Sequence, residues 1–318
     1  MNITTYTRGD EIKIISLFKE VFGRDMNLAF WEWRFLENPI NKIMIRLMWD
    51  GQKLVGHYAV SPVMLSIGNN IALTGLSMTT MTHPDYNGKG IFTNLAEELY
   101  QSEYKQNDLQ AVWGFPNNNS HAGFIKNLRW VNLPVIPTFS LETNRIMRHP
   151  PKSEEIKIIE LFTIGHESAY SLITSPYCVK THKTVDYLNW RYFKNPYFKY
   201  TVFEFKHENN FFFSVVKLYA TSNFENEIDI VEFIFPDNKE AIHDLIHHIL
   251  AFYSEHKIVK VNIWLPLNDL RHLTLEKIGF KNDLPITYMG VRAFSPQFSE
   301  YLGKCGNWFF SMGDSDVF

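Results

Sequence analysis

The sequence predicts an α/β chain made of two copies of one unit, each a mixed, mostly antiparallel sheet with helices on its faces. Three observations predict it. A short motif occurs twice, a strand–turn–strand pattern comes after it both times, and a glycine-bearing loop joins an apolar strand to an amphipathic helix. The motif is "FWEWRFLENPI" at 30–40 and "YLNWRYFKNPY" at 187–197. Trp33, Arg34, Asn38 and Pro39 match Trp190, Arg191, Asn195 and Pro196, 157 residues later. Self-similarity of this kind marks a duplicated structural unit.

Beyond the motif the two halves keep the same order. "IMIRLMWDGQKLVGHYAV" reads as two strands across an Asp50-Gly51 turn, and "TVFEFKHENNFFFSVVKLYA" reads the same way around Glu208-Asn209-Asn210. "THPDYNGKGIF" is answered by "FIFPDNKEAI", with Pro84-Asp85 matching Pro236-Asp237. "WGFPNNNSHAGFIKNLRW" is answered by "IWLPLNDLRHLTLEKIGF". The expected domains are therefore 1–147 and 153–294, joined near the polar, proline-containing "RHPPKSEE", with a tail at 295–318 that packs near the cleft.

Composition narrows the function. The chain has 318 residues, and a net charge of −3 gives no electrostatic footprint for a nucleic acid or an anionic membrane. Its two cysteines, Cys178 and Cys305, build neither a disulfide framework nor a Cys-based zinc site. No run approaches eighteen apolar residues, and the start lacks the basic-then-apolar pattern of a signal peptide. The expectation is a cytoplasmic protein without a membrane span.

The loop "NGKG" at 87–90 carries the chemistry. "LTGLSMTTMT" is a strand by its β-branched content, ending at Pro84, and "IFTNLAEELYQSEYKQ" has apolar residues at 91, 92, 95, 96 and 99, a helical stripe. Asn87-Gly88-Lys89-Gly90 thus sits at the positive end of a helix, where successive backbone amides bind an anion and Lys89 adds charge. Neither the P-loop pattern nor the dinucleotide G-x-G-x-x-G fits it. In the second copy Pro236-Asp237 is followed by Asn238-Lys239-Glu240-Ala241, without a glycine and with a carboxylate that repels phosphate.

This loop resembles the coenzyme A loop of the GNAT acetyltransferase superfamily, Gln/Arg-x-x-Gly-x-Gly/Ala, laid over Asn87 to Phe92. Gly90 matches, Asn87 stands for Gln/Arg, and Phe92 stands for Gly/Ala. Asn118 and the close at Arg129-Trp130, with "EKIGF" in copy two, extend the likeness, so the chain looks like a tandem GNAT protein. The resemblance implies one acetyl-CoA site in copy one, held by Thr80, Met81, Thr82, Asn87, Gly88, Lys89, Gly90, Ile91, Phe92 and Asn118. It implies a degenerate second copy, and N-acetyl transfer to a small-molecule amine by direct attack on the thioester. It also puts backbone amides of strand 78–82 on the carbonyl oxyanion.

Proton handling departs from the family. Where many relatives place a tyrosine as acid to the thiolate, this chain has Ile125, and where many keep a glutamate it has Leu76-Ser77-Met78. The candidates left are His57, in a strand expected to border the cleft, with His83, His121 and Glu32, and the tail, where Asp314, Asp316 and the Phe318 carboxylate follow the aromatic anchor Trp308-Phe309-Phe310. His83 is read as a loop residue, and His121 sits where an amphipathic helix begins, with Asn119 or Ser120 as the N-cap. A metal site is not expected: the His243/His247 pair should lie on the wet side of its helix, with no third ligand. Arg34 and Arg191 are read as holding the turn after them. The acceptor expected from family habit and the aromatics is an amino sugar or sugar nucleotide. Two rivals remain, an acyl-CoA-binding sensor without turnover and an aminoacyl or peptidyl transferase on the same fold.

Overall fold

The computed structural model describes residues 1–145, 155–221 and 225–318. The expected boundaries at 147 and 153, and the joint between them, lie outside the described residues. The chain forms two compact units, and neither is contiguous. The first comprises Met1–Pro134 with Tyr288–Cys305, and the second Val135–Thr287 with Gly306–Phe318.

In the first unit the strands are β1 (Asn2–Thr5), β2 (Met44–Asp50), β3 (Lys53–Ile67), β4 (Asn70–Thr82) and β5 (Ala111–Gly114). They lie side by side in that order, antiparallel except for the parallel β4–β5 pair. Helices α1 (Glu11–Phe22) and α2 (Leu28–Phe35) cover one face, packing Ile14, Leu17, Trp31 and Phe35 on Ile45, Leu47 and Met81. Helices α3 (Ile91–Asn107) and α4 (His121–Leu128) cover the other, packing Leu95, Leu99 and Phe124 on Met44, Met48 and Tyr58. Alternate residues of β2 thus feed opposite cores, as a strand buried on both faces requires.

The second unit repeats the plan. β7 (Ile156–Ile159), β9 (Thr201–His207), β10 (Asn210–Ala220) and β11 (Asn226–Ile234) pair antiparallel in that order, and β12 (Ile258–Ile263) joins β11 in parallel. The short strand β8 (Val179–Thr181) bridges to Trp308 through Val179. Helices α5 (Ile164–Ile173), α6 (Val185–Leu188), α7 (Lys239–Phe252) and α8 (Arg271–Ile278) complete the unit.

The last strand of each half is exchanged. In β6 (Val131–Glu142), residues 139–142 pair with β12 in the second unit. In β13 (Lys281–Ala293), residues 290–293 pair with β5 in the first, just before α9 (Pro296–Leu302). Arg292, on that inserted strand, holds Glu97 of α3 and the Leu128 carbonyl of α4, pinning the helices beside the glycine loop.

Candidate functional site

The site of the first unit begins where β4 and β5 part. They pair only over Thr74–Leu76 and Ala111–Trp113, after which β5 ends at Gly114 while β4 continues to Thr82. β4 also carries a bulge there. Its register with β3 runs Met78↔Ala59 and then Met81↔His57, an extra residue on β4, with Thr79 at φ +52°. A bulge re-aims the strand and ends regular pairing. The side chains of Thr79, Thr80 and Thr82 are half-buried and Met81 is in the core, so Met81 offers the site only its main chain.

His57 secures that bulge. Its ring is fully buried, Nδ1 lies 2.7 Å from the Thr79 carbonyl oxygen, and Phe35 of α2 packs edge-on against it. Nδ1–H donates to that carbonyl, which leaves Nε2 as the unprotonated nitrogen, without a hydrogen-bond partner. Burial lowers its pKa from 6.5 to about 4, although the Thr79 carbonyl works in the opposite direction, so the imidazole is neutral at pH 7.

The loop after β4 has the geometry of an anion cradle. A single 3-10 turn, Pro84–Tyr86, leads to Asn87, Gly88, Lys89 and Gly90, all exposed. Gly88 has φ +76° and Gly90 has φ +73°, with no atom within 4 Å of a Cβ at Gly88 and only the Asn94 amide at 3.9 Å for Gly90. Protein space is open at both, so it is the left-handed backbone that calls for glycine here. Gly90 is the N-cap of the 17-residue α3 and offers its first amides no side-chain acceptor. Those amides and the helix dipole face outward, which favours an anion. Lys89 rests its ammonium 4.1 Å over the Tyr86 ring, whose hydroxyl donates to Asp50. Phe92 packs on Phe124 of α4 at 5.1 Å, and a Cβ on Gly123 would meet its ring at 3.4 Å, so the bulky residue at the family's small position has its own seat.

The remaining expected residues fall around these elements. Asn118 is exposed in the β5–α4 turn, where Asn117 accepts from the Asn119 and Ser120 amides, and Ser120 stands at the N-cap of α4 without a side-chain cap bond. His121 stacks on Tyr288 at 4.0 Å and meets Asn132, and Ile125 packs half-buried on the core. His83 is buried, with Nε2 on Glu20 and Nδ1 accepting from the Asp85 amide. Sequence reasoning missed a buried line behind the splay, Ser77–Tyr58–Tyr100–Trp130, joined at 2.9, 2.5 and 3.2 Å. Burial raises both tyrosine pKa values, so both phenols stay protonated. Aromatic content alone carries no signal for such a network.

The second unit has the same splay with different contents. β11 pairs with β12 only through Ile230↔Ile263 and then continues to Ile234, with a bulge after Val216↔Ile230 on its β10 side. Glu232 stands four residues before Pro236, as Thr80 does before Pro84. The tail lies on this bulge. Asp314, 4% exposed, accepts from Thr181 and from the Ser311 amide, and Lys183, 2% exposed, binds both Asp314 (2.9 Å) and Glu232. Burial works against the Lys183 charge, but Asp314 and Glu232 outweigh it and raise its pKa. Phe318 packs edge-on against Trp264 at 5.0 Å, its main-chain oxygen accepts from Arg191, and Asp316 is half-buried. Asn238 caps α7 through the Ala241 amide, whereas Gly90 leaves the matching end of α3 uncapped by any side chain. Of the His pair on α7, His243 is exposed but His247 is buried, contrary to the expectation that both face water. Among the described residues no group of three or more metal-ligating side chains occurs, and no helix is long and apolar enough to cross a membrane.

Residues 2–130 match the model of the acetyltransferase (GNAT) domain. Solved structures with the same fold cover nearly all of the chain. A GCN5-related N-acetyltransferase from Anabaena variabilis matches with a TM-score of 0.70 at 13% identity, over 92% of this chain and 73% of its own. A conserved protein of Enterococcus faecalis, described as a probable N-acyltransferase, matches at 0.68 and 12%, over 94% and 74%. The N-myristoyltransferase of Saccharomyces cerevisiae, solved with bound myristoyl-CoA, matches at 0.61 and 11%, over 94% and 86%. At these identities the likeness shows the fold. No curated protein sequence matches the chain.

Proposed function

We propose, from the premise that this is a GNAT-fold protein with an acetyltransferase domain over residues 2–130, that it is an acetyl-CoA-dependent N-acyltransferase acting on a small-molecule amine. The observation that carries the reading is the pairing, in one unit, of a splayed and bulged β4 with an exposed, uncapped α3 start. The pyrophosphate of the acyl-CoA sits on the amides after Gly90, with Gly88 and Lys89 beside it. The acyl end lies along Thr80–Thr82, with Phe92 and Asn118 bounding its path and Ile91, buried in the core, offering only its main chain.

The neutral amine attacks the thioester carbonyl, forming the C–N bond. Main-chain amides of the β4 bulge receive the oxyanion, and collapse breaks the C–S bond. The amine's proton leaves to a base, and the thiolate takes one up as free thiol. His57 holds the bulge through the Thr79 carbonyl and is neutral at working pH, as a base must be. Asp316 and Phe318, expected candidates from the tail, belong to the second unit, where Arg191 holds the Phe318 oxygen, so the reading rests on His57. His57→Gln with lowered kcat and unchanged acyl-CoA affinity supports it, and unchanged kcat removes it.

Thiol release from acetyl-CoA and from a long-chain acyl-CoA, across a panel of amines that includes amino sugars, tests the whole reading. Amine-dependent release that disappears in Gly90→Glu supports it. Acyl-CoA binding without release on any amine replaces it with the sensor reading.

A further inference from the structure

The transferase reading gives no part to the buried line behind the first unit's splay, yet that line ends at the splay. Trp130 Nε1 donates to the Tyr100 hydroxyl, which lies 2.5 Å from the Tyr58 hydroxyl, and Tyr58 meets Ser77 Oγ at 2.9 Å. An indole N–H donates and cannot accept. The arrangement in which each further hydrogen has an acceptor in the line runs from Tyr100 to Tyr58 and from Tyr58 to Ser77. Ser77 then accepts, and its own hydrogen is the one that the line does not use. Each bond polarises the next, which makes that hydrogen a stronger donor than an isolated serine's. Paired glycines of β5 and β13 seat the start of the line: a Cβ would meet the Trp130 ring at 3.6 Å from Gly114 and at 3.0 Å from Gly290.

The far end of the line faces the proposed acyl-CoA path. Met78 and Met81 both pack in the α1–α2 core, because the bulge absorbs one residue between them. Side chains alternate along a strand, so their neighbours Ser77, Thr80 and Thr82 share the other face, that of α3 and α4. Thr80 and Thr82 are half-buried on that face. Ser77 is 8% exposed, whereas Tyr58, Tyr100 and Trp130 are 0%, 1% and 3% exposed, so the line comes nearest to solvent at the serine. Ser77 is also the first residue of β4 beyond its last pair with β5, Leu76↔Trp113. A row of hydroxyls thus runs from the glycine loop towards the closed end of the splay, and Ser77 stands at that end.

We infer that Ser77 is a catalytic residue that donates a hydrogen bond to the thioester sulfur as the C–S bond breaks. The inference rests on the transferase reading, in which the bulge amides already serve the carbonyl oxygen, so the sulfur is the other atom that gathers charge. Tyr58 and Tyr100 are positioning residues that hold and polarise the serine. The proton stays on Ser77, because the line behind it ends in an indole N–H and contains two phenols that burial keeps protonated. The sulfur leaves with the electron pair of the C–S bond, as a thiolate held by that hydrogen bond. It becomes the free thiol by taking up the equivalent of the proton that the amine gives to the base.

The test uses the full chain with bound coenzyme A. Its thiol is titrated by the thiolate absorbance, with the complex of desulfo-coenzyme A, which lacks the sulfur, as the reference. In the wild type the bound thiol should ionise about one pH unit or more below free coenzyme A, a tenfold preference for the thiolate. Ser77→Ala should bring it most of the way back, while desulfo-coenzyme A affinity and thermal melting stay at wild-type values. In amine-dependent thiol release the same variant should lower kcat about 10- to 100-fold with acyl-CoA affinity unchanged, the size of a hydrogen bond to a charged group. A folded Ser77→Thr keeps the hydroxyl and should keep the lowered thiol. Tyr58→Phe removes the hydrogen given to Ser77 and should show a smaller loss of the same kind; it decides the matter if Ser77→Ala does not fold. A bound thiol that titrates like free coenzyme A in the wild type, or equally low in Ser77→Ala, overturns the Ser77 assignment and leaves the transferase standing. Absence of coenzyme A binding overturns the transferase reading and the Ser77 assignment together.

Discussion

In the first unit β4 continues past β5 from Leu76 to Thr82, and the loop after it presents Gly88, Lys89, Gly90 and an uncapped helix start to solvent. In the second, β11 continues past β12 in the same way, but the chain's own residues 311–318 lie on its bulge and Asn238 caps the next helix. One construction thus serves two ends. A parallel strand pair that separates leaves main-chain groups without a ladder partner, and those groups must be satisfied. The second unit satisfies two of them from within, where Arg271 donates to the Phe233 and Phe235 carbonyls. On the proposed reading, the first keeps them for the acyl-CoA.

Removing the cation from the second unit's filling should give the largest effect. Lys183→Met leaves Glu232 and Asp314 as buried carboxylates without their partner, and should cost roughly 3–5 kcal/mol in denaturant unfolding. Acetyl-CoA affinity, a property of the first unit, should survive below the transition. A variant that unfolds at wild-type denaturant concentrations would mean the tail cluster contributes little.

The bulge of the first unit can be tested by pH. Unfolded, the His57 imidazole takes up a proton near 6.5; folded, it does so only near 4. The unfolded chain binds the extra proton between those values. Stability is therefore full above about pH 6.5 and declines as pH falls towards 4, by about 3 kcal/mol. His57→Gln should flatten that part of the pH–stability curve, and an unchanged curve would place the acid sensitivity elsewhere.

The cradle itself is probed by Gly90→Glu, which adds a side chain at φ +73° and a negative charge at the start of α3. Acetyl-CoA affinity should fall at least about a hundredfold. Glu240→Gly in the second copy should create no new site, because Asn238 already caps that helix. The smallest effect is expected from Asn117→Ala. It removes the acceptor for the Asn119 and Ser120 amides and should lower the melting stability by about 1 kcal/mol.

Much of this contrast is legible in the residues. The Trp-Arg and Asn-Pro pairs reveal the duplication, and the missing glycines at 238–241 separate one copy from the other. The glycine loop is readable because left-handed backbone has few other solutions. The unreadable part depends on contacts distant in sequence. The exchange of β6 and β13 leaves no local trace, since each strand has the same pattern whichever sheet receives it. Lys183 looks like an ordinary surface charge until the tail folds back and sets Asp314, 131 residues later, against it. The arginines of the repeat read as serving their neighbouring turn, yet Asn38 and Asn195 do that, and Arg191 reaches the tail. Thr79 at φ +52° breaks local preference in favour of the bulge, and nothing in "SMTTMT" announces it.

If one copy, and only one, holds acyl-CoA, the stoichiometry of binding decides the matter. Calorimetric titration of the full chain with acetyl-CoA, alongside coenzyme A, should give one site per chain for both ligands, lost in Gly90→Glu with the fold retained. No binding, two sites per chain, or unchanged affinity in a folded Gly90→Glu would contradict the division of labour between the two units.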